Sequence, residues 1–192
     1  VEGLSMRRLA GALGAGAMSL YHYVANKEEL LDAMIDVVFT EIELPSDADD
    51  WRTAMRREAH SARGVLARHP WAIALMESRT SPGPANFRHR EAVTACLRKA
   101  GFSVVMATHA NWLLNAHVYG YALQEASLPF DSAAELAQMT EDVYLPQIPA
   151  DEFPYLHESG TALVAAGYDP TQELALGLDL IRDALEPLRT PA

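Results

Sequence analysis

Apolar residues in this chain recur at helical spacing from end to end, and no stretch alternates with period two between hairpin turns. A chain patterned this way can bury its hydrophobic stripes only by packing helix on helix, so the predicted fold class is all-α. The pattern breaks at Leu44-Pro45-Ser46-Asp47, Ser81-Pro82-Gly83-Pro84, Ala100-Gly101, Leu128-Pro129, the proline-rich stretch from Pro146 to Pro154 and Gly167-Tyr168-Asp169-Pro170. The first break also separates short helices from long amphipathic ones. It divides the chain into an N-terminal domain over 1–43 and a larger helical domain over 44–192. The chain opens on Val with no charged-then-apolar leader, and the expectation is that it starts inside a domain, with further sequence before it.

Cysteine usage and charge narrow the class. Cys96 is the single cysteine, which leaves no intrachain disulfide and no thiolate metal site and fits a reducing cytoplasm. No apolar run is long enough to span a membrane. A net charge of −11 opposes nucleic-acid binding taken as a sum. Its distribution reverses that: from Val1 to Tyr23 the only charges are Glu2, Arg7 and Arg8, and the carboxylates gather after Glu41.

That basic tip has the pattern of a helix-turn-helix. Met6, Leu9, Ala10 and Leu13 form one helical face; Gly14-Ala15-Gly16 stops the helix; Ala17 to Val24 restarts it, with Leu20 and Val24 as anchors. The second helix then exposes Ala17, Met18, Ser19, Tyr21, His22 and Tyr23. Small residues first and aromatic or hydrogen-bonding ones after is what entry into a major groove requires. Tyr21, His22 and Tyr23 are consecutive and cannot all face one core, which argues against an ordinary helical hairpin. Asn26 caps a following helix, Lys27 to Ile42, with Glu29 completing a capping box, and Lys27 at its mouth suits a backbone phosphate.

These residues carry a family resemblance. Leu4-Ser5-Met6-Arg7-Arg8-Leu9-Ala10-Gly11-Ala12-Leu13-Gly14, Ser19-Leu20-Tyr21-His22-Tyr23-Val24 and Asn26-Lys27-Glu28-Glu29-Leu30-Leu31 resemble the DNA-binding domain of tetracycline-repressor-type regulators. The resemblance implies a helix before this unit, absent or nearly so here, and implies that side chains at Met6 and Arg7 approach base edges. A weaker resemblance covers Trp51 to Ala126, through Trp51-Arg52, Arg68-His69-Pro70-Trp71, Gly101-Phe102-Ser103 and Gly120 to Gln124. It implies an effector-binding domain around an enclosed cavity.

The helix from Ser103 to Ser127 shows a polar stripe of its own. Thr108, Asn111 and Asn115 recur at spacings of three and four, with Trp112 and Tyr119 beside them. The stripe either lines a ligand pocket or faces solvent or a helix neighbour; the spacing does not decide. His109 and His117 flank it, but the histidines as a set show no H-x3-H or H-E-x-x-H spacing. With no nucleophile-base pair and no cofactor motif, neither catalysis nor a metal or cofactor is expected. Aligned through the resemblance, the magnesium-binding histidine and carboxylate positions of tetracycline repressors fall at Leu75 and Gln124, neither of which supplies the lost ligand. Candidate effector-lining residues are therefore Leu75, Thr108, His109, Asn111, Trp112, Asn115 and Tyr119, suited to a mostly apolar, partly aromatic molecule.

The final helix, Thr171 to Leu188, places Leu174, Leu178, Ile181, Leu185 and Leu188 on a seam with spacings of four, three, four and three. The expectation is a homodimer through this helix and Ser103–Ser127, an arrangement the resemblance also implies. Two such units would read a roughly palindromic site in double-stranded DNA, with half-sites about a helical turn or somewhat more apart. The expected function is ligand-responsive regulation, repression released by effector. The alternative is an all-helical small-molecule-binding protein or enzyme that does not touch DNA.

Overall fold

The computed structural model describes residues 3–190 apart from 77, 80, 82, 131, 168 and 169. The breaks predicted at Pro82 and Tyr168-Asp169 fall in part outside the described residues, as do the first two positions of the N-terminal domain. Among the described residues the regular structure is helical, without a strand.

Helix α1, Met6–Ala12, starts where the Arg8 N–H donates to Ser5 Oγ. It ends in a Schellman motif: the Ala15 N–H donates to the Ala10 carbonyl at 2.9 Å, the Gly14 N–H donates to Gly11 at 3.3 Å, and Gly14 has φ +64°. Helix α2, Ala17–Leu20, is shorter than the predicted Ala17 to Val24. The His22 and Tyr23 N–H groups bond three residues back, to Ser19 and Leu20, so Tyr21-His22-Tyr23 winds into a tight turn. Helix α3, Lys27–Thr40, stops before Ile42, which follows it as a buried anchor.

Helices α4 (Trp51–Arg68), α6 (Pro84–Lys99), α7 (Val104–Ser127) and α10 (Pro170–Leu185) pack on one another as the central bundle. A 3-10 turn at Pro70–Ala72 and the short α5, Ile73–Met76, link α4 to α6. The core is filled by Met55, Val65 and Leu66 of α4, Leu97 of α6, Phe102, Leu114 and Val118 at α7, and Leu174 and Leu178 of α10. Helix α3 joins this core through Ile35, Val38 and Phe39, so the N-terminal unit is packed directly onto α6. Helix α8 (Ala133–Met139), a π turn at Thr140–Tyr144, a 3-10 turn at Leu145–Gln147 and α9 (Pro154–Ala166) pack among themselves, and α9 leaves Tyr155, Leu156 and Leu163 exposed.

The last helix differs from its predicted use. Leu174 and Leu178 are fully buried within the subunit, Leu185 nearly so, and Ile181 packs against the same core; only Leu188, on a 3-10 turn at Glu186–Leu188, is exposed. The seam read as a dimer face is the face that holds α10 to α4 and α7. Gly177 makes that approach close: a Cβ there would lie 2.2 Å from the His117 ring, whose Nε2 is 3.1 Å from the Leu174 carbonyl oxygen. The large apolar residues that α10 turns outward are Leu176 and Leu180.

Candidate nucleic-acid interface and effector pocket

Helices α1 and α2 and the mouth of α3 form one end of the molecule. Met18 and Tyr23 are 76% and 84% exposed there, and Tyr21 is 46% exposed. Arg7, Ser19 and His22 are also exposed, while Ala17 and Lys27 are half-buried. Ser19 Oγ donates to the Gly16 carbonyl at 2.6 Å, which fixes the hydroxyl on the turn. Met6 departs from its predicted place at this surface: α1 turns it inward together with Ala10, one turn on, and both are buried.

The mouth of α3 resolves a conflict of charge. Lys27 is followed by Glu28 and Glu29, which favour the helix dipole but would repel a phosphate. Glu29 folds back so that its carboxylate accepts from the Ala25 N–H, while its own N–H donates to Asn26 Oδ1 at 2.9 Å. Arg79, from the segment before α6, donates through Nη1 to Glu28 at 2.7 Å and through Nε to Asp32. The Asp32 and Glu28 carboxylates hold the Arg79 guanidinium firmly in its charged form. Both carboxylates of the first turn are thus engaged, and half-buried Lys27 beside them pairs with no carboxylate among the described residues.

Two further contacts tie α3 to α6. Asp36 Oδ1 accepts from the Ala85 and Asn86 N–H groups at 2.8 and 2.9 Å, capping the start of α6 from outside it. Phe39 packs on His89, with ring centroids 5.4 Å apart, and His89 Nε2 lies 2.9 Å from Glu58 Oε1 of α4 in a buried pair. Arg79, Asp36, Glu58 and His89 were not among the predicted site residues. Their partners lie 31 to 51 positions away, so no local spacing marks them.

On the other side of α6 lies a cleft of ≈ 340 Å³, lined by Arg90 and by Asn111, Trp112, Asn115, Ala116 and Tyr119 of α7. Four of the predicted effector residues therefore meet in one concavity. Of the other three, Thr108 Oγ1 donates back to the Val104 carbonyl, and exposed His109 sits edge-on to Trp112 with centroids 6.2 Å apart. Leu75 is half-buried against the core and lines no part of this cleft. Gln124 lines a separate cleft of ≈ 680 Å³ with His117, Glu125 and Glu173. Among the described residues no three His, Cys, Asp or Glu side chains are grouped to hold a metal ion. Leu75 packs against the core and Gln124 lines the second cleft, so the two positions lie in different surroundings.

Residues 44–188 match the family described as "Tetracyclin repressor-like, C-terminal domain". The chain is 40% identical over 124 residues to the HTH-type transcriptional repressor DrrR1 of Streptomyces coeruleorubidus, covering 64% of this chain but only 46% of that protein. It is 31% identical to the tetracycline repressor protein class C of Escherichia coli, over 98% of this chain and 84% of that one. The crystal structure of the Streptomyces coelicolor TetR family protein ActR in complex with actinorhodin superposes with a TM-score of 0.77 at 31% identity, covering 96% of this chain and 87% of ActR. No helix among the described residues is long and apolar enough to cross a membrane. On its sequence match, its identity to repressors and its fold, the chain belongs to the tetracycline-repressor family.

Proposed function

We propose that the chain is an effector-responsive transcriptional repressor that acts as a cytoplasmic homodimer. Residues 1–43 serve as its DNA-reading unit and 44–192 as its effector and dimerisation domain. The observation that carries the reading is the exposure of Met18, Tyr21, His22 and Tyr23 beside Arg7 and Lys27, at an end of an acidic chain where Glu28 and Glu29 are engaged by Arg79 and the Ala25 N–H. Large aromatic side chains left in water on a short helix-turn-helix are what a groove-reading surface presents before DNA covers it. Ala17 and Ser19 allow the close approach that the longer side chains need.

The effector site is the cleft between α6 and α7, where the Asn111 and Asn115 amides orient a ligand over Trp112 and Tyr119. Helix α6 carries Arg90 on the cleft and Asp36-bound N–H groups at its start, so a ligand that shifts α6 shifts α3 with it. DrrR1 is named a repressor and ActR binds actinorhodin, and the same sense of regulation is assigned here: effector releases DNA.

A gel-shift with the DNA upstream of the encoding gene tests the reading. The native chain is expected to retard that duplex at moderate salt and a scrambled duplex far more weakly, with Lys27→Ala weakening both alike. Tetracycline with magnesium is expected to leave the complex intact. Equal retardation of both duplexes by the native chain would overturn the reading.

A further inference from the structure

We propose that the effector is an aromatic acid, its anionic group held by Arg90 and its ring system laid along α7. The inference rests on the α6–α7 cleft being the effector site, and it assigns the chemistry of the molecule that site takes.

Among the described residues Arg90 is the only formally charged one lining the cleft. Five arginines, Arg7, Arg8, Arg88, Arg90 and Arg98, pair with no carboxylate among the described residues, and Arg90 is the one of them that lines this cleft. Arg52, Arg56, Arg57, Arg63, Arg68, Arg79, Arg182 and Arg189 are each paired with a carboxylate. Arg90 pairs with none among the described residues, although carboxylates outnumber Lys and Arg by 26 to 15. The residues one turn away on its own helix are Asn86, Phe87, Val93 and Thr94, and the facing residues of α7 are amides and aromatics. An unpaired guanidinium in such a setting offers a planar pair of donors that matches a carboxylate.

The remainder of the cleft is shaped for rings. Trp112 and Tyr119 lie seven residues apart on α7, which sets them about 10 Å apart along the helix axis. That is the length of a fused three-ring system. Trp112 is 65% exposed, an apolar face that a flat ligand would cover. Asn111 and Asn115 stand one turn apart, Asn111 beside Trp112 and Asn115 between the two rings, placed to meet polar substituents on the ring edge. A neutral ligand leaves Arg90 without a partner, and a cationic one is repelled by it.

Binding of anthracene-2-carboxylate and of its neutral amide to the full native chain, measured by calorimetry, tests the assignment. The acid is expected to bind about tenfold more tightly than the amide, the lower end for a charge-assisted pair because Arg90 is exposed. Arg90→Gln is expected to remove the difference and Arg90→Lys to keep much of it. Raising the salt from about 50 to 500 mM should weaken the acid alone. Equal affinity of acid and amide for the native chain, or a difference that survives in Arg90→Gln, would overturn the aromatic-acid assignment while leaving the cleft as the site. Binding of neither compound would overturn the cleft as effector site, and the assignment with it.

Discussion

Gly11 and Gly14 lie three residues apart around the end of α1, yet an added methyl group acts on them in opposite senses. Neither would meet a neighbour within 4 Å, so the difference is in the backbone. Gly14 holds φ +64°, where an L side chain crowds the following carbonyl, and Gly14→Ala is expected to cost about 1 kcal/mol. Gly11 has ordinary helical φ, and Gly11→Ala should stabilise by about 0.5–1 kcal/mol, mainly by restricting the unfolded chain. Denaturant unfolding of the two variants checks the pair; a Gly14→Ala chain as stable as the native one would remove the Schellman end of α1. His60 gives a second prediction at this scale. Burial pushes its imidazole below the ordinary 6.5, and the charges of Arg56, Arg63 and Arg182 push in the same direction. The folded chain then keeps the ring neutral where the unfolded chain protonates it. Stability is full above about pH 6.5 and is lost as pH falls from there through the folded value. The melting temperature of the native chain relative to His60→Gln should therefore fall between pH 7.5 and 5.5; a constant difference would rule His60 out.

Between elements, the join of α3 to the bundle is made by a few long-range polar contacts, and Arg79 is the one nearest the DNA-reading end. Arg79→Ala frees Glu28 at the mouth of α3 and leaves Asp32 without its partner. Operator affinity is expected to drop roughly fivefold, about 1 kcal/mol, with the helical content unchanged. Adding Glu28→Gln should restore part of the loss, because the liberated charge and not a disordered helix would be the cause. Failure of the second change to restore any binding would assign Arg79 to packing alone. This join also marks the limit of what the sequence conveys. Helices were legible because their caps are local: Asn26 accepts from the Glu29 N–H as the capping-box spacing predicts, and Ser5 and Ser103 accept three residues on in the same way. The polar stripe on α7 was legible for the same reason, since Asn111, Asn115 and Tyr119 share a face. Arg90 was not, because its significance lies in the absence of a partner, which only the arrangement of α6 against α7 reveals. Met6 was set at the DNA surface by the resemblance, whereas the apolar face it shares with Ala10 turns it inward.

For the whole molecule the open question is which apolar surface pairs the subunits, and α10 shows why periodicity alone misdirects. Its leucines fall on two faces. The longer and more regular one, Leu174, Leu178 and Leu185, is consumed inside the subunit, and the shorter one, Leu176 and Leu180, is left in water at 58% and 63% exposure. A regular seam states that a helix has a partner, and the partner here is its own bundle. Leu176 and Leu180 lie on either side of Gly177, where α10 approaches His117 most closely, and α7 exposes Leu113 one turn before that histidine. The two helices thus present a joint apolar strip beside their contact, and a second copy meeting it about a two-fold axis would form a four-helix interface. Such a strip unpartnered in water favours association. Leu176→Glu with Leu180→Glu is expected to give a folded monomer that has lost operator binding, because each half-site is then held alone. Leu178→Glu, with a carboxylate forced into the core, is expected to unfold the subunit instead. Light scattering with circular dichroism separates the outcomes. A folded dimer from the Leu176→Glu, Leu180→Glu variant would place the interface on another surface, and a folded monomer from Leu178→Glu would restore the seam as the contact between copies.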